Sequence, residues 1–274
     1  MHRKLVDLQF YDTYYFCNVI DSLLKEPFPW LSTLHPWHEE RQAELFSQQF
    51  PRRSILHDFS EFAIARLIDE YVSDEVASAI ARDLTATPWV DEALCFHELG
   101  HTGIDDWLNE QGVARHDVSI DTLADYHGDL FLSGPLDDLV DLLSRNVFFV
   151  LFGNRMFLSR FHSYVSGLVS CLRLEEIEPA FTARFTSKAR VRRARPPAWA
   201  KRAIFYRERG LCASCTRDLS GLINVQSQLH YDHIVPLATG GVNDVTNLQL
   251  LCDECNSKKG SRAAPVSVKY EAWY

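Results

Sequence analysis

The chain lacks any long hydrophobic run. Its longest candidate, Asn146 to Phe152, is followed at once by Gly153, Asn154 and Arg155. A membrane-spanning helix needs roughly 20 consecutive apolar residues, so none is predicted. The first residues, from Met1 to Asp7, carry charges before any apolar segment forms, which argues against a signal peptide. We therefore expect no membrane association and a cytoplasmic location.

The sequence also lacks internal repeats and low-complexity tracts, which excludes repeat architectures. Hydrophobic residues make up 46% of its 274 residues, which is enough for a packed core and argues against disorder. Helical spacing of apolar residues predicts helices over 59–71, 76–80 and 136–143. We also expect a helix from Val90 to Leu108. The segment Phe148 to Phe152 fits either a buried strand or a core helix.

Cysteine is scarce, with seven residues in all. Four of them form the pairs Cys212-x-x-Cys215 and Cys252-x-x-Cys255, a pattern typical of a four-thiolate zinc site. Such a closed site leaves no position for a substrate, so we expect a structural zinc. Two redox pairs, or two unrelated pairs, are the alternative. We interpret the three remaining cysteines as buried free thiols: Cys17, Cys95 and Cys171.

The net charge of −9 averages two dissimilar parts. Residues before about 180 are strongly acidic, whereas the remainder is net basic. A run without acidic residues contains Arg184, Lys188, Arg190, Arg192, Arg193 and Arg195, and Pro196-Pro197 follows it. The run fits a solvated linker and also a tether that follows a phosphate backbone through Arg192, Arg193 and Arg195. A short helix is expected next, from Pro197 to about Glu208.

The segment between the cysteine pairs carries several spaced features. They are Asp232-His233-Ile234-x-Pro236, Gly240-Gly241, Asn247-Leu248, and Cys255-Asn256 with Lys259. LHYDHIV alternates as a strand does. In this quarter the sequence resembles the HNH endonuclease family, in which a β-hairpin and a helix surround one divalent metal. The resemblance implies a ββα-metal fold with Gly240-Gly241 in the hairpin turn.

Hydrolysis of a phosphodiester requires an activated water and stabilisation of charge on the phosphate oxygens. His233 suits the general base, and Asp232 is a hard oxygen ligand for Mg²⁺ or Mn²⁺. By the resemblance, Asn256 is a second metal ligand that opens the closing helix, and Asn247 orients the base. We interpret His230 as an ordinary strand residue. Lys258 and Lys259 fit phosphate contacts or a solvated helix end equally well.

The acidic part contains a competing motif. His97-Glu98-Leu99-Gly100-His101 fits His-Glu-x-x-His, which on a helix places both histidines on one face for zinc. Packing or surface histidines are the alternative, since Gly100 and Gly103 weaken a helix there. The tryptophans of this part, Trp30, Trp37, Trp89 and Trp107, fit a core or interface better than a base-stacking pocket.

These patterns predict an α+β protein with three segments. A mostly helical, acidic regulatory or partner-binding domain spans 1–183, a basic linker spans 184–197, and a zinc-stapled ββα-metal nuclease spans 198–274. We expect metal-dependent cleavage of DNA, and nicking by a monomer because one module has one active centre. A DNA-binding module with an inactive nuclease site and a zinc peptidase using His97, Glu98 and His101 are the alternatives.

The order of a helical domain ahead of such a module is similar to nuclease components of bacterial anti-phage defence systems of the Zorya type. This resemblance rests on architecture alone. It implies a role in phage defence, with protein partners of a defence system bound by the helical domain.

Overall fold

The computed structural model describes residues 8–30, 34–39, 42–221, 228–262 and 266–270. The segment Met1 to Asp7, which bears on the absence of a signal peptide, lies outside these residues. Contacts divide the chain into two compact units, one of Met1–Asn18 with His57–Phe148 and one of Val19–Leu56 with Phe149–Tyr274. The predicted domain boundaries at 183 and 197 stay a prediction.

The first unit consists of helices in the residues that the structure describes. In chain order the helices up to residue 151 are α1 (Thr13–Lys25), α2 (Gln42–Phe46), α3 (Ile55–Glu70), α4 (Asp74–Arg82), α5 (Trp89–Phe96), α6 (Ile104–Gln111), α7 (Ile120–Ser133) and α8 (Pro135–Leu151). Of these, α2 and the second half of α1 belong to the second unit. Polar caps fix their ends. Ser119 and Thr122 form a capping box at the start of α7, and Gly112 ends α6 in the left-handed conformation.

The predicted helix from Val90 to Leu108 is wrong as a single element. It consists of α5 and α6, with a loop between Phe96 and Ile104. Glu98 lies in this loop at a φ of +54°, a left-handed conformation incompatible with a continuing helix. The buried carboxylate of Asp91 holds the loop, because it accepts hydrogen bonds from the Ile104 amide and the Tyr126 hydroxyl.

The second unit combines helices with a two-stranded antiparallel sheet. Its later elements are α9 (Arg155–Cys171), α10 (Pro179–Thr182), α11 (Ala198–Arg207), β1 (Leu229–His233), β2 (Leu248–Cys252) and α12 (Asp253–Lys259). The predicted helix after Pro197 is confirmed as α11. The ambiguous segment Phe148 to Phe152 is helical up to Leu151, where α8 ends. The closing helix begins at Asp253, so Asn256 lies inside it and does not open it.

Helix α9 packs against the long connection between the two strands. His162 on α9 shares a 2.8 Å hydrogen bond with the Thr246 hydroxyl. Gly240 has a φ of +95°, and a Cβ there would lie 2.6 Å from the carbonyl oxygen of Ser166. A side chain at Gly240 would therefore push the connection away from α9. The two glycines thus belong to a long connection, residues 234–247, and not to a tight hairpin turn.

The basic run from Arg184 to Arg195 folds back on itself within the second unit. Phe185 and Val191 form an isolated antiparallel bridge, and both side chains are buried. The Asn243 side chain ties the end of the run to the strand connection, because it donates to the Arg192 carbonyl at 2.7 Å and accepts from the Ala194 amide. The backbone of this run is therefore held by packing and hydrogen bonds.

Taken by element type, the described chain is mostly helical with a small two-stranded sheet near its C-terminus, which confirms the predicted α+β class. No helix of the described residues is long and apolar enough to cross a bilayer. Of the three lone cysteines, Cys17 is buried as expected. Cys95 and Cys171 are exposed, so the prediction of buried thiols is wrong for these two.

Candidate active site and zinc site

The first strand places Asp232 and His233 side by side at its C-terminal end. Asp232 pairs with Gln249 and His233 pairs with Leu248 in an unbroken antiparallel register. Because adjacent strand residues point to opposite faces, the two side chains enter different surroundings. Asp232 keeps some access to solvent, with 14% of its side chain exposed, whereas His233 is 2% exposed. The ladder contains no bulge in the residues that form it.

Burial governs the protonation of His233. It lowers the pKa of His233 to about 4, and the positive charge of Arg193 lowers it further, against the opposing effect of Asp232. A hydrogen bond with the Asn243 side chain also favours the protonated ring, but it is outweighed by burial. The imidazole is thus neutral at pH 7 and has an acceptor nitrogen available, which a general base requires.

The side chain of Asn247 bonds to backbone groups near His233. Its side-chain oxygen accepts from the Val235 amide at 2.9 Å, and its nitrogen donates to the carbonyls of Val235 and Val242 at 3.0 Å each. Its own carbonyl accepts from the Ile234 amide at 2.6 Å. The fully buried asparagine therefore fixes the residues that follow His233.

Lys259 reaches into the site from α12. Its ammonium lies 2.7 Å from Asp232 Oδ2 and donates to the His233 carbonyl at 2.8 Å. Only 6% of its side chain is exposed, whereas the neighbouring Lys258 is exposed. Lys259 is therefore neither a solvated helix end nor an open phosphate contact, since it is an internal partner of Asp232. Lys258 is placed at the surface.

Asn256 lies half-buried on the same helix, which packs against β1. A carboxylate and a carboxamide together offer oxygen donors, the ligand type preferred by Mg²⁺ and Mn²⁺. Asp232 also faces a cation already, since the Lys259 ammonium contacts it. By chemical type the two side chains suit an oxygen-preferring divalent ion, which would have to displace the Lys259 ammonium from Asp232.

The four paired cysteines converge at one point of the second unit. The sulfur atoms of Cys212, Cys215, Cys252 and Cys255 all lie within 4.8 Å of one another. Cys215 Sγ and Cys252 Sγ are 3.7 Å apart, close to the ~3.8 Å that tetrahedral zinc with bonds of ~2.3 Å would impose. The cluster is close enough to hold zinc. The Ala213 amide donates to the Leu250 carbonyl at 2.8 Å, which attaches the first knuckle to β2.

Hydrogen bonds to its sulfur favour the thiolate form of Cys212, which is the form that binds metal. Burial raises the pKa of the Cys212 thiol, but backbone N–H groups, including that of Cys252 at 3.3 Å, lower it overall. His230 lies outside this cluster, with its Nε2 3.2 Å from Asp253 Oδ1, so its interpretation as an ordinary strand residue agrees with its position.

The three arginines predicted to bind nucleic acid differ in how they are held. Arg192, Arg193 and Arg195 are all exposed on the folded basic run. Arg192 Nε donates to the Phe185 carbonyl at 2.7 Å, which restrains that side chain. Arg193 is close enough to His233 for its charge to affect the pKa of the imidazole. The run therefore presents positive charge beside the candidate base.

A series of buried hydrogen bonds next to the strand connection was not predicted from the sequence. His162 Nε2 meets the Thr246 hydroxyl, which donates to Asp244 Oδ1 at 2.6 Å, and Asp244 Oδ2 accepts from the Ile55 amide. Burial lowers the pKa of His162 to about 3, and the charges of His233 and Arg207 lower it further. No local motif marks His162, because it lies on a helix far upstream of the hairpin.

The His-Glu-x-x-His motif does not form a metallopeptidase site. α5 ends at Phe96, so His97 and His101 do not share a helix face. His97 is buried, and the side chain of His101 bonds the Leu99 carbonyl at 3.0 Å. In the described part of the chain, no cluster of potential metal ligands includes either histidine. This arrangement agrees with packing or surface histidines.

Most of the tryptophans in question pack as expected. Trp37 and Trp107 are buried, and Trp89 is half-buried and stacks on Tyr71 with ring centroids 5.2 Å apart. Trp30 departs from this pattern, because 44% of it is exposed.

The strand with Asp232 and His233, the closing helix with Asn256 and the four-thiolate cluster are the elements expected of a ββα-metal module. Comparison of the sequence with known families agrees, since residues 212–269 match the HNH endonuclease family. The C-terminal quarter of the chain is thus similar to HNH endonuclease domains over residues 212–269. No curated protein and no solved structure matches the chain significantly. The resemblance of the whole layout to Zorya-type nucleases stays a hypothesis.

Proposed function

We propose that the protein is a metal-dependent endonuclease that hydrolyses phosphodiester bonds in DNA. The observation that carries this proposal is the buried imidazole of His233, neutral at pH 7, one residue after Asp232 at the end of the same strand. A base and an oxygen ligand at the end of one strand suit the two sides of a phosphodiester displacement.

Asp232 and Asn256 would hold Mg²⁺ or Mn²⁺, and the four cysteines would hold a structural Zn²⁺. When bound, the catalytic ion supplies Lewis-acid stabilisation of the leaving oxygen. His233 would take a proton from the attacking water, since its imidazole is in the unprotonated form at pH 7. Asn247 fixes the backbone after His233 and thereby holds the imidazole in place.

The basic run supports a polyanionic substrate. Arg192, Arg193 and Arg195 are exposed, and Arg193 acts electrostatically on the base itself. Lys258 extends the exposed positive charge on α12. Contacts of this kind neutralise phosphates and position the backbone without reading sequence. One module has one base, so a monomer nicks one strand.

A plasmid-nicking assay tests this function. Purified full-length protein is incubated with supercoiled DNA, with and without added Mg²⁺ or Mn²⁺, alongside His233→Ala and the exposed-histidine control His116→Ala. Omission of the catalytic ion is preferable to a chelator, which would also challenge the cysteine cluster. We expect open circles only with added metal, from the wild type and His116→Ala.

Three other outcomes are informative. Linear product without accumulated open circles would contradict nicking by a monomer. Binding of the plasmid without cleavage would favour the alternative of a DNA-binding module with an inactive site. Equal cleavage by His233→Ala would overturn the assignment of the base.

A role in phage defence is proposed on the layout alone, a helical segment ahead of an HNH domain. Its test is the plaquing efficiency of phages on bacteria that carry the wild-type gene in its native neighbourhood, compared with the His233→Ala version. Protection that needs His233 supports the role. Equal plaque numbers on both strains and on cells without the gene would contradict it.

A further inference from the structure

A cavity of about 420 Å³ lies in the second unit, away from the Asp232–Lys259 pair. Three of the aromatic residues that line it are largely exposed, namely Phe149 at 62%, Tyr206 at 67% and Tyr270 at 50%. Large aromatic side chains exposed around one concave surface are available to contact a ligand. The volume falls within the range of ligand pockets, roughly 300–1,000 Å³.

The polar part of the cavity is positively charged. Arg155 and Arg207 both contact Glu208, at 2.6 Å each, so two guanidinium groups share one carboxylate. The side chains of Arg155, Arg207 and Glu208 are 8%, 3% and 0% exposed, which fixes them as a rigid group. In the part of the chain that the structure describes, Arg207 Nη1 has no hydrogen-bond partner. A buried donor without an acceptor costs free energy.

The cavity is connected to the catalytic strand through Arg207. Arg207 Nη2 donates to the carbonyl of Leu248, and Leu248 pairs with His233 across the ladder. The guanidinium also lies over the Phe152 ring, 4.9 Å from its centroid. A ligand in this cavity would therefore lie against Arg207, which is bonded to β2, the strand that pairs with the strand of the candidate base.

We propose that this cavity binds an unpaired nucleobase of the DNA strand that the module cleaves. Every base has an apolar face that stacks on aromatic rings, which Phe149 and Tyr206 offer, and polar edge atoms that accept from arginine. The net positive charge favours a polyanion over an apolar peptide or lipid. Bases stacked within a duplex cannot enter a cavity, so the site selects single-stranded or locally opened DNA. The inference rests on the proposed function, since it concerns the same substrate.

Binding to matched single-stranded and duplex oligonucleotides tests this inference. Full-length protein without added Mg²⁺ or Mn²⁺ is titrated against a labelled single strand and against the blunt duplex of the same sequence. Stacking is worth roughly 1–3 kcal/mol per base, so Phe149→Ala and Tyr206→Ala are each expected to weaken single-strand binding about 5- to 150-fold. Duplex binding should change by less than about twofold.

Two variants serve as controls. Tyr206→Phe keeps the ring and should bind single strands like the wild type. Phe131→Ala removes a side chain that is 55% exposed in the first unit and should have no effect. A 2-aminopurine base in the strand gives an independent signal, because stacking on Tyr206 should quench its fluorescence in the wild type and not in Tyr206→Ala.

Alanine variants that bind single strands like the wild type would overturn the inference, as would an equal loss on both oligonucleotides. Either result together with plasmid nicking by the wild type would leave the proposed function intact. Conversely, quenching of 2-aminopurine by a protein that never nicks DNA would support the cavity and contradict the nuclease function.

Discussion

Burial decides the chemical state of individual residues in this site. An exposed histidine is partly protonated near pH 6.5, whereas His233, at 2% exposure, has a pKa of about 4. The same burial restricts access of water to the ring, so the substrate complex must bring the reacting water to it. Asp232, one residue earlier and on the other strand face, keeps solvent access and is free to change partners.

Lys259 competes for Asp232 with any divalent ion, because its ammonium contacts the carboxylate at 2.7 Å. We expect Lys259→Met to lower the Mn²⁺ concentration that half-saturates binding by about 3- to 10-fold, since a charge-assisted hydrogen bond is removed. The variant should also be less stable by about 1–3 kcal/mol, because a partly buried carboxylate loses its partner. Mn²⁺ titration by calorimetry and urea unfolding measure the two effects.

Lys258→Met is the matched control for this prediction. It removes the same charge from the adjacent position of the same helix, but from an exposed side chain. Mn²⁺ affinity and stability should stay close to those of the wild type. If both lysine variants bind Mn²⁺ with equal affinity, the contact between Lys259 and Asp232 has no influence on the metal site.

At the scale of elements, the connection between the strands depends on one asparagine. Asn247→Ala would remove three side-chain hydrogen bonds to Val235 and Val242 and leave buried backbone groups unpaired. Each orphaned group costs about 1–3 kcal/mol, so we expect a clear fall in the unfolding temperature together with loss of nicking. Asn256→Ala, at a half-buried helical position, should lose nicking with little loss of stability. Differential scanning calorimetry separates the two cases.

The cysteine cluster joins the loop after α11 to the junction of β2 and α12. We expect one zinc ion per chain in protein purified without chelators, and almost none in Cys252→Ser, because Cys252 is a buried ligand. Cys252→Ser should unfold at a lower temperature. Cys171→Ser, at an exposed lone cysteine, is the control and should keep both the zinc and the stability. Elemental analysis of the three proteins measures the metal, and retention of zinc by Cys252→Ser would contradict a four-thiolate site.

Local patterns predicted the elements that depend on local sequence. The cysteine spacing, the strand of Asp232 and His233 and the helix after Pro197 all follow from residues near one another. Contacts between distant segments could not be predicted in this way. Neither the packing of α9 on Gly240 nor the bond between His162 and Thr246 has a signature in either segment. The motif at His97 predicted a helix that does not form, because the spacing of residues does not reveal that Glu98 takes a left-handed conformation.

For the molecule as a whole, buried histidines should make stability depend on pH. Burial lowers the pKa of His38, His97, His127, His162 and His233 in the folded state. Between the folded pKa and the unfolded value near ~6.5, the unfolded chain binds more protons, so the free energy of unfolding decreases as pH falls. Asp244 acts in the opposite direction, because burial raises the pKa of its carboxyl.

A variant at His162 isolates one contribution to this dependence. In the fold, His162 faces His233, Arg207 and the Thr246 hydroxyl. Burial is the main cause that lowers the pKa of His162, and the charges of Arg207 and of His233, once that ring is protonated, lower it further. We expect His162→Gln to flatten the dependence of unfolding free energy on pH between about 6.5 and 4, where each unit of pKa difference corresponds to about 1.4 kcal/mol. His116→Gln, at a side chain that is 79% exposed, should keep the wild-type slope. Urea unfolding at a series of pH values measures both. A slope that stays at the wild-type value in His162→Gln would mean that other groups, such as the zinc thiolates, control the loss of stability in acid.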